Sequence, residues 1–181
     1  MRARTARIGV VVCVCVTALP GRASPQEGAA LDVASIRAML RKGLDTHRQM
    51  DIAFVRAIPD SALRWAPTPG VRDFAQQIEH IVIDNVLIAS GGQMPSYGNP
   101  EDYLNDKGAL EAVVETTYAQ VVETLNGLSD AQLLEDGELF GNPMPRWRFF
   151  LVALNHADWT RGQLVPYYRL NGAEPPEWHF F

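Results

Sequence analysis

Histidine and carboxylate side chains at helical spacing are the residues of this 181-residue chain that are best suited to chemistry. His80 and Asp84 are four residues apart, so a helix would place them on the same face, one turn from each other. Such a pair can supply two ligands to a metal ion, or one ligand and the acid that orients it. The plainer interpretation is a buried histidine whose hydrogen bonds are satisfied by its neighbour.

A second polar patch is predicted on the last long helix. Steps of three or four residues place His156, Thr160 and Gln163 on one face, between the apolar residues Val152 and Tyr167. Polar groups on a stripe that faces a core must be hydrogen-bonded or bound to a ligand. The pattern favours a pocket, although packing alone would also explain it.

Four long amphipathic segments must position these residues. Helical periodicity and caps predict them over residues 31–58, 73–91, 107–126 and 146–170, and no segment has the pattern of a strand. The second segment begins with a capping box, in which Asp73 is followed three residues later by Gln76. Ser129 and Gln132 predict one further short capped turn. We therefore expect an all-α four-helix bundle over residues 31–177.

The first 23 residues are typical of a secretory signal peptide. A start with three arginines precedes an apolar run over residues 8–19, and the small residue Ala23 ends the segment. The run is shorter than the ~20 residues of a membrane span, so a cleaved signal is favoured over a permanent anchor. We predict cleavage after Ala23, a flexible new N-terminus over residues 24–30, and export to the periplasm or the extracellular space.

Cleavage would change both charge and thiol content. It would leave 12 basic and 21 acidic residues, so the formal net charge would move from −5 to −9. Such a surface repels nucleic-acid phosphates and anionic membranes, so we exclude both classes of partner. Both cysteines, Cys13 and Cys15, would leave too, which excludes disulfides and thiolate ligands. The expected partners are an unknown small molecule and a second copy of the chain, and the aromatic tail (residues 178–181) is expected to dock on the bundle or on that copy.

Three stretches of the sequence resemble the DinB/YfiT-like superfamily of four-helix-bundle proteins, over about residues 31–177. They are the linker over residues 59–74, the Ile-Glu-His-Ile segment around His80, and the Arg-Gly-Gln-Leu motif that follows Thr160. The resemblance implies a divalent metal ion bound by three histidines, one on the second helix and two spaced four apart on the last. His80 matches the first position and His156 the second, whereas Thr160 occupies the third.

Thr160 in place of a histidine leaves three interpretations open. A hydroxyl is a poor zinc or nickel ligand beside imidazole. A bound zinc, nickel, iron or manganese ion would therefore need Asp84, His47 or Thr160 itself as third ligand. In the second interpretation the pocket works without metal and its histidines act as acid–base groups. In the third the polar patch is vestigial.

Two functional hypotheses follow. The resemblance implies a metal-dependent transferase or hydrolase of unknown substrate, with His80 and His156 as ligands and with Thr160 and Gln163 lining the pocket, and the signal-peptide pattern predicts that it is exported. No catalytic residue is assigned. The alternative is a non-catalytic bundle, ligand-binding or structural, with a degenerate metal site.

Overall fold

The computed structural model describes residues 32–179. The helices are α1 (Val33–Ala57), α2 (Phe74–Ala89), α3 (Glu101–Leu104), α4 (Lys107–Gly127), α5 (Asp130–Leu134) and α6 (Trp147–Leu170). A 3₁₀ turn (Asp60–Ala62) follows α1, and a hairpin of β1 (Asp136–Leu139) and β2 (Asn142–Pro145) precedes α6. The predicted signal peptide (residues 1–23), the predicted flexible terminus (residues 24–30) and the last two residues of the aromatic tail lie outside the described residues.

The four long helices form the predicted bundle. α2 packs against α4 and α6, and α1 packs against the same two helices on the other side. Aliphatic side chains from each long helix fill the space between them, and many are completely buried: Leu40, Ile78, Leu110 and Leu164. Burial of such side chains is the main favourable term in folding. No helix of the described chain is long and apolar enough to span a membrane.

The start of α2 is fixed by the predicted capping box. The Asp73 carboxylate accepts a hydrogen bond from the Gln76 backbone N–H at 2.8 Å, and the Gln76 side chain accepts one from the Asp73 N–H at 3.0 Å. Arg64 donates to the second oxygen of the Asp73 carboxylate at 2.7 Å. Because this cap is held from both sides, the register of α2, and with it the position of His80, is set locally.

The β-hairpin corrects the expectation that the chain has no strand. Residues 136–139 and 142–145, which lie between the third and fourth predicted helices, pair as two antiparallel strands. Its turn residues Phe140 and Gly141 both have positive φ, 51° and 78°, as a two-residue hairpin turn requires. Each strand has only four residues and β2 contains two prolines, so the alternation of apolar and polar residues that identifies a strand is too short to be recognised. Leu139 packs with Phe149 in a small apolar cluster beside the start of α6.

Candidate metal centre

Two histidines and one carboxylate converge between α2 and α6. α2 supplies His80 and Asp84 from successive turns, and α6 supplies His156. The Asp84 Oδ2 atom lies 3.4 Å from His80 Nδ1 and 3.4 Å from His156 Nε2. The two imidazole rings meet edge to face, with centroids 4.9 Å apart. The predicted i, i+4 pair on α2 is therefore joined to the predicted histidine of α6 through a single carboxylate oxygen.

The spacing of these atoms fits ligands around an ion better than it fits hydrogen bonds. N–H···O bonds are about 2.7–3.2 Å long. Two ligand atoms that each lie about 2.1 Å from a tetrahedral metal ion are about 3.4 Å apart. One donor atom from each of the three side chains lies within 4.8 Å of the others, so a single ion can reach all three.

Thr160 adds a hydroxyl to the same place. Its Oγ1 atom lies 3.4 Å from His156 Nε2, and the residue is buried. The residue that the resemblance places at the third ligand position is therefore beside the cluster, although its hydroxyl is a weak metal ligand. Asp84 is the stronger third donor, because its carboxylate carries charge and faces both histidines.

The environment favours neutral imidazole at His80. Burial lowers the pKa of His80, the neighbouring Asp84 carboxylate opposes that shift, and the charges of Arg72 and His156 add to it. A neutral histidine offers the lone pair that a metal ion requires. The side chains of His80, Asp84 and His156 are 24%, 23% and 24% exposed, so an ion or a small molecule can reach them from solvent.

His156 is left with an unsatisfied nitrogen. Its Nδ1 atom is buried and has no hydrogen-bond partner among the described residues. If the proton is on Nδ1, the Nε2 lone pair faces the Asp84 carboxylate, and the two repel each other. If the proton is on Nε2, the buried Nδ1 lone pair has no hydrogen-bond donor. A cation between Nε2 and Asp84 removes the repulsion of the first arrangement. The donor set therefore fits a divalent metal ion.

Gln163 lies one helical turn beyond Thr160, at the exposed edge of the same helix face. Its side-chain oxygen accepts a hydrogen bond from Gln77 Nε2 at 3.2 Å, which links α6 to α2. The Gln77 oxygen is buried without a partner among the described residues. Gln77 and Gln163 therefore form a second polar layer in the α2–α6 interface, next to the His80–Asp84–His156 cluster.

His47, the remaining candidate ligand, lies elsewhere. Its Nε2 atom is 3.6 Å from Asp158 Oδ2, and its Nδ1 atom is 3.4 Å from Arg161 Nη2. These partners face α1, whereas His156 and Thr160 face α2. His47 is buried on the inward face of α1, but this face meets the opposite side of α6 from the cluster.

A second polar cluster, the Arg161 network, was not predicted. The buried Arg161 guanidinium donates from Nε to Asp51 Oδ1 at 2.8 Å, and Tyr118 donates its hydroxyl to Asp51 Oδ2 at 2.6 Å. Asn85 Nδ2 donates to the Tyr118 oxygen at 3.1 Å. The network joins all four long helices. The available signals were the i, i+4 spacing of His47 and Asp51 and the i, i+3 spacing of Asp158 and Arg161, whose side chains meet at 2.7 Å.

Comparison with known proteins assigns the family. A family model of the DinB superfamily matches residues 43–164, more than half of the chain, and the chain belongs to this superfamily. It is similar in structure to a DinB-like protein from Bacillus cereus ATCC 10987, with a TM-score of 0.64, 22% identity, and coverage of 82% of this chain and 99% of that one. It is also similar to the DinB-like protein YjoA from Bacillus subtilis, with a TM-score of 0.59 and 20% identity. That comparison covers 77% of this chain and 96% of the other. At these identities the likeness shows the fold. No curated protein matches.

Proposed function

We propose that this protein binds one divalent transition-metal ion through His80, Asp84 and His156, and that the bound site carries out hydrolysis or group transfer on a small molecule. The observation that carries the proposal is the placement of two imidazole nitrogens, each 3.4 Å from the same oxygen of Asp84. The cluster offers three donors and remains open to solvent, as a catalytic metal site requires.

Asp84 takes the part of the third histidine that the superfamily resemblance implies. Two imidazoles and one carboxylate are a donor set of catalytic zinc sites and of non-haem iron(II) sites. The carboxylate also balances one of the two positive charges of the ion, which a third imidazole does not. We therefore expect zinc or iron(II) to bind more tightly than manganese.

The surrounding residues supply the rest of the site. A metal ion held here would lower the pKa of a bound water or thiol and polarise a carbonyl or phosphoryl group. The Thr160 hydroxyl beside His156 can hydrogen-bond to a bound substrate, and the Gln163 amide stands one turn away for a more distant substrate group. Export, which residues 1–23 predict, favours hydrolysis over thiol transfer, because low-molecular-weight thiols are mainly cytosolic.

The alternative function is a non-catalytic bundle with a degenerate site. Two observations favour it: Thr160 stands where the resemblance expects a histidine, and His156 Nδ1 lacks the orienting partner that metal-bound histidines usually have. On this alternative the cluster would bind no ion tightly.

Titration calorimetry distinguishes the two functions. Zinc, iron(II), nickel and manganese are titrated into untagged protein, and into the variants His80→Ala, Asp84→Asn and His156→Ala. The matched controls are His179→Ala and Asp102→Asn, which change an exposed histidine and an exposed aspartate outside the cluster. We expect one ion per chain, at least tenfold weaker binding in each cluster variant and unchanged binding in the controls. Unchanged binding by the combined His80→Ala and His156→Ala variant would contradict the site.

Hydrolysis and transfer are then screened with the metal-loaded protein. Ester, amide and phosphoester substrates report hydrolysis, and an electrophile with a small thiol reports transfer. Activity that disappears in His80→Ala and persists in His179→Ala supports the enzyme. Tight metal binding without turnover of any substrate class favours the binding bundle.

A further inference from the structure

A small cavity lies between α1, α6 and the C-terminal segment. Its volume is about 110 Å³. Two residues along a helix turn the side-chain direction by about 200°, so Asp158 faces away from His156 and into this cavity instead of toward the metal cluster. The cavity is therefore separate from the site proposed above.

The wall of the cavity is mainly apolar and aromatic. Met50 and Phe54 line it from α1, Val165 from α6 and Trp178 from the C-terminal segment. Asp158 and Arg161 are the charged residues of the lining. A pocket of this kind takes a ligand with a compact apolar body and one polar end.

The charge beside the cavity is negative. The single Arg161 guanidinium is shared by two carboxylates, at 2.8 Å from Asp51 Oδ1 and 2.7 Å from Asp158 Oδ1. His47, the other basic group packed against Asp158, does not compensate, because burial lowers its pKa to about 3. The group as a whole keeps one negative charge, and Asp158, at 38% side-chain exposure, is the carboxylate at the cavity.

We propose that this cavity binds a small organic ammonium ion, a primary amine on a short aliphatic body. The ammonium group would pair with Asp158, and the aromatic face of Trp178 would contribute a cation–π attraction. The apolar wall disfavours a hydrated metal ion, and the excess negative charge repels a carboxylate or a phosphate. The volume equals that of about four water molecules in the liquid, which suits an amine with a few carbon atoms.

Gly162 gives a way to close the cavity without changing its charge. It lies in the cavity wall, and apart from its chain neighbours and the backbone of its own helix, a Cβ atom added there would meet no atom within 4 Å. A leucine side chain at this lining position therefore has room to extend over the cavity without a clash. Gly127, in the last turn of α4, also has open space at its Cβ position and lies outside the cavity. Gly127→Leu is the matched control.

The experiment is an NMR titration of the whole protein with butylammonium chloride, with 1-butanol and butyrate as neutral and anionic probes of similar size. The signal observed is the indole N–H of Trp178. We expect a saturable shift with butylammonium, at least tenfold weaker binding of 1-butanol, and no binding of butyrate. Asp158→Asn should weaken butylammonium binding at least tenfold, whereas Asp102→Asn should not change it. Gly162→Leu should abolish binding, and Gly127→Leu should preserve it.

Equal binding of 1-butanol and butylammonium, or unchanged binding by Asp158→Asn, would show an apolar pocket without charge selection and would overturn the proposal. The absence of a saturable shift, or saturable binding that survives Gly162→Leu, would overturn it as well. If Asp158→Asn fails to fold, as judged by circular dichroism, the probe comparison and Gly162→Leu decide the question. The titration gives the same expected result with and without zinc, so its outcome is independent of the metal site.

Discussion

The two faces of α6 carry polar clusters of opposite character. Toward α1, Arg161 and Asp51 are almost completely buried, and their atoms meet at the 2.8 Å of a charge-assisted hydrogen bond. Toward α2, His80, Asp84 and His156 are about one quarter exposed, and their closest atoms stay 3.4 Å apart. The first spacing is that of groups that already satisfy one another. The second is the spacing that ligand atoms have around a bound metal ion.

The comparison separates residues that hold the bundle from residues that serve a site. A buried charge is stable only when it is paired and hydrogen-bonded, so the Arg161 network is fixed by the cost of breaking it. The His80–Asp84–His156 cluster has partial access to solvent and an unsatisfied nitrogen, so its protein contacts alone do not explain its arrangement. The following predictions compare the two clusters, in order of decreasing effect.

Loss of Asp51 should have the largest effect on stability. Asp51→Ala leaves the buried Arg161 guanidinium with Asp158 as its remaining carboxylate partner. Breaking a buried pair in this way costs about 3–5 kcal/mol of unfolding free energy. Urea denaturation followed by circular dichroism measures the change, with Asp102→Asn as an exposed control. A loss below about 1 kcal/mol would mean that the network does not hold the bundle.

Metal binding should stabilise the wild-type protein through the other cluster. At a free zinc concentration 100 times the Kd, the expected gain in unfolding free energy is about 2.7 kcal/mol. The combined His80→Ala and His156→Ala variant should lose this gain, while its metal-free stability stays close to that of the wild type. Denaturation with and without zinc tests both statements. Equal stabilisation of the variant by zinc would place the ion elsewhere.

Removal of the Tyr118 hydroxyl should have an intermediate effect. Tyr118→Phe takes one hydrogen bond from the buried Asp51 carboxylate and leaves Asn85 Nδ2 without its acceptor. A hydrogen bond to a charged group contributes about 1.5–3 kcal/mol, and we expect the lower end because Arg161 still pairs with Asp51. Chemical denaturation measures the loss, and zinc affinity should not change. A tenfold weaker zinc affinity in Tyr118→Phe would show that the two clusters are coupled.

Acid should act on the network through His47. Burial lowers the pKa of His47 to about 3 in the folded protein, from about 6.5 in the unfolded chain. The unfolded chain therefore binds the extra proton first as the pH falls, so the contribution of His47 to stability is present above about 6.5 and is lost between about 6.5 and 3. The loss is about 1.4 kcal/mol at about pH 5.5, one unit below the pKa of the unfolded chain. His47→Gln should remove this part of the pH dependence, and an unchanged slope would contradict the assignment.

Local sequence signals predicted the helices well. The Asp73–Gln76 box and the Ser129–Gln132 box each begin a helix, and apolar periodicity located the long helices to within a few residues. The hairpin over residues 136–145 was missed because its strands are short and contain prolines. Its formation depends on a turn at Phe140 and Gly141 that has no strong sequence signature.

The candidate site was predictable only in part. The i, i+4 spacing placed Asp84 beside His80, but its position 3.4 Å from His156 depends on how α2 and α6 align. Asp51 and Arg161 are 110 residues apart, so no local pattern reveals their pairing. His47 illustrates the limit: it was named as a possible third ligand, but a single sequence does not show which helix its side chain meets.

Anomalous diffraction at the zinc edge, from crystals of the protein loaded with one equivalent of zinc, tests the central claim most directly. The account predicts one strong peak about 2.0–2.2 Å from His80 Nδ1, His156 Nε2 and Asp84 Oδ2. A peak held by other residues, or no peak between α2 and α6 in crystals that contain zinc, would contradict it.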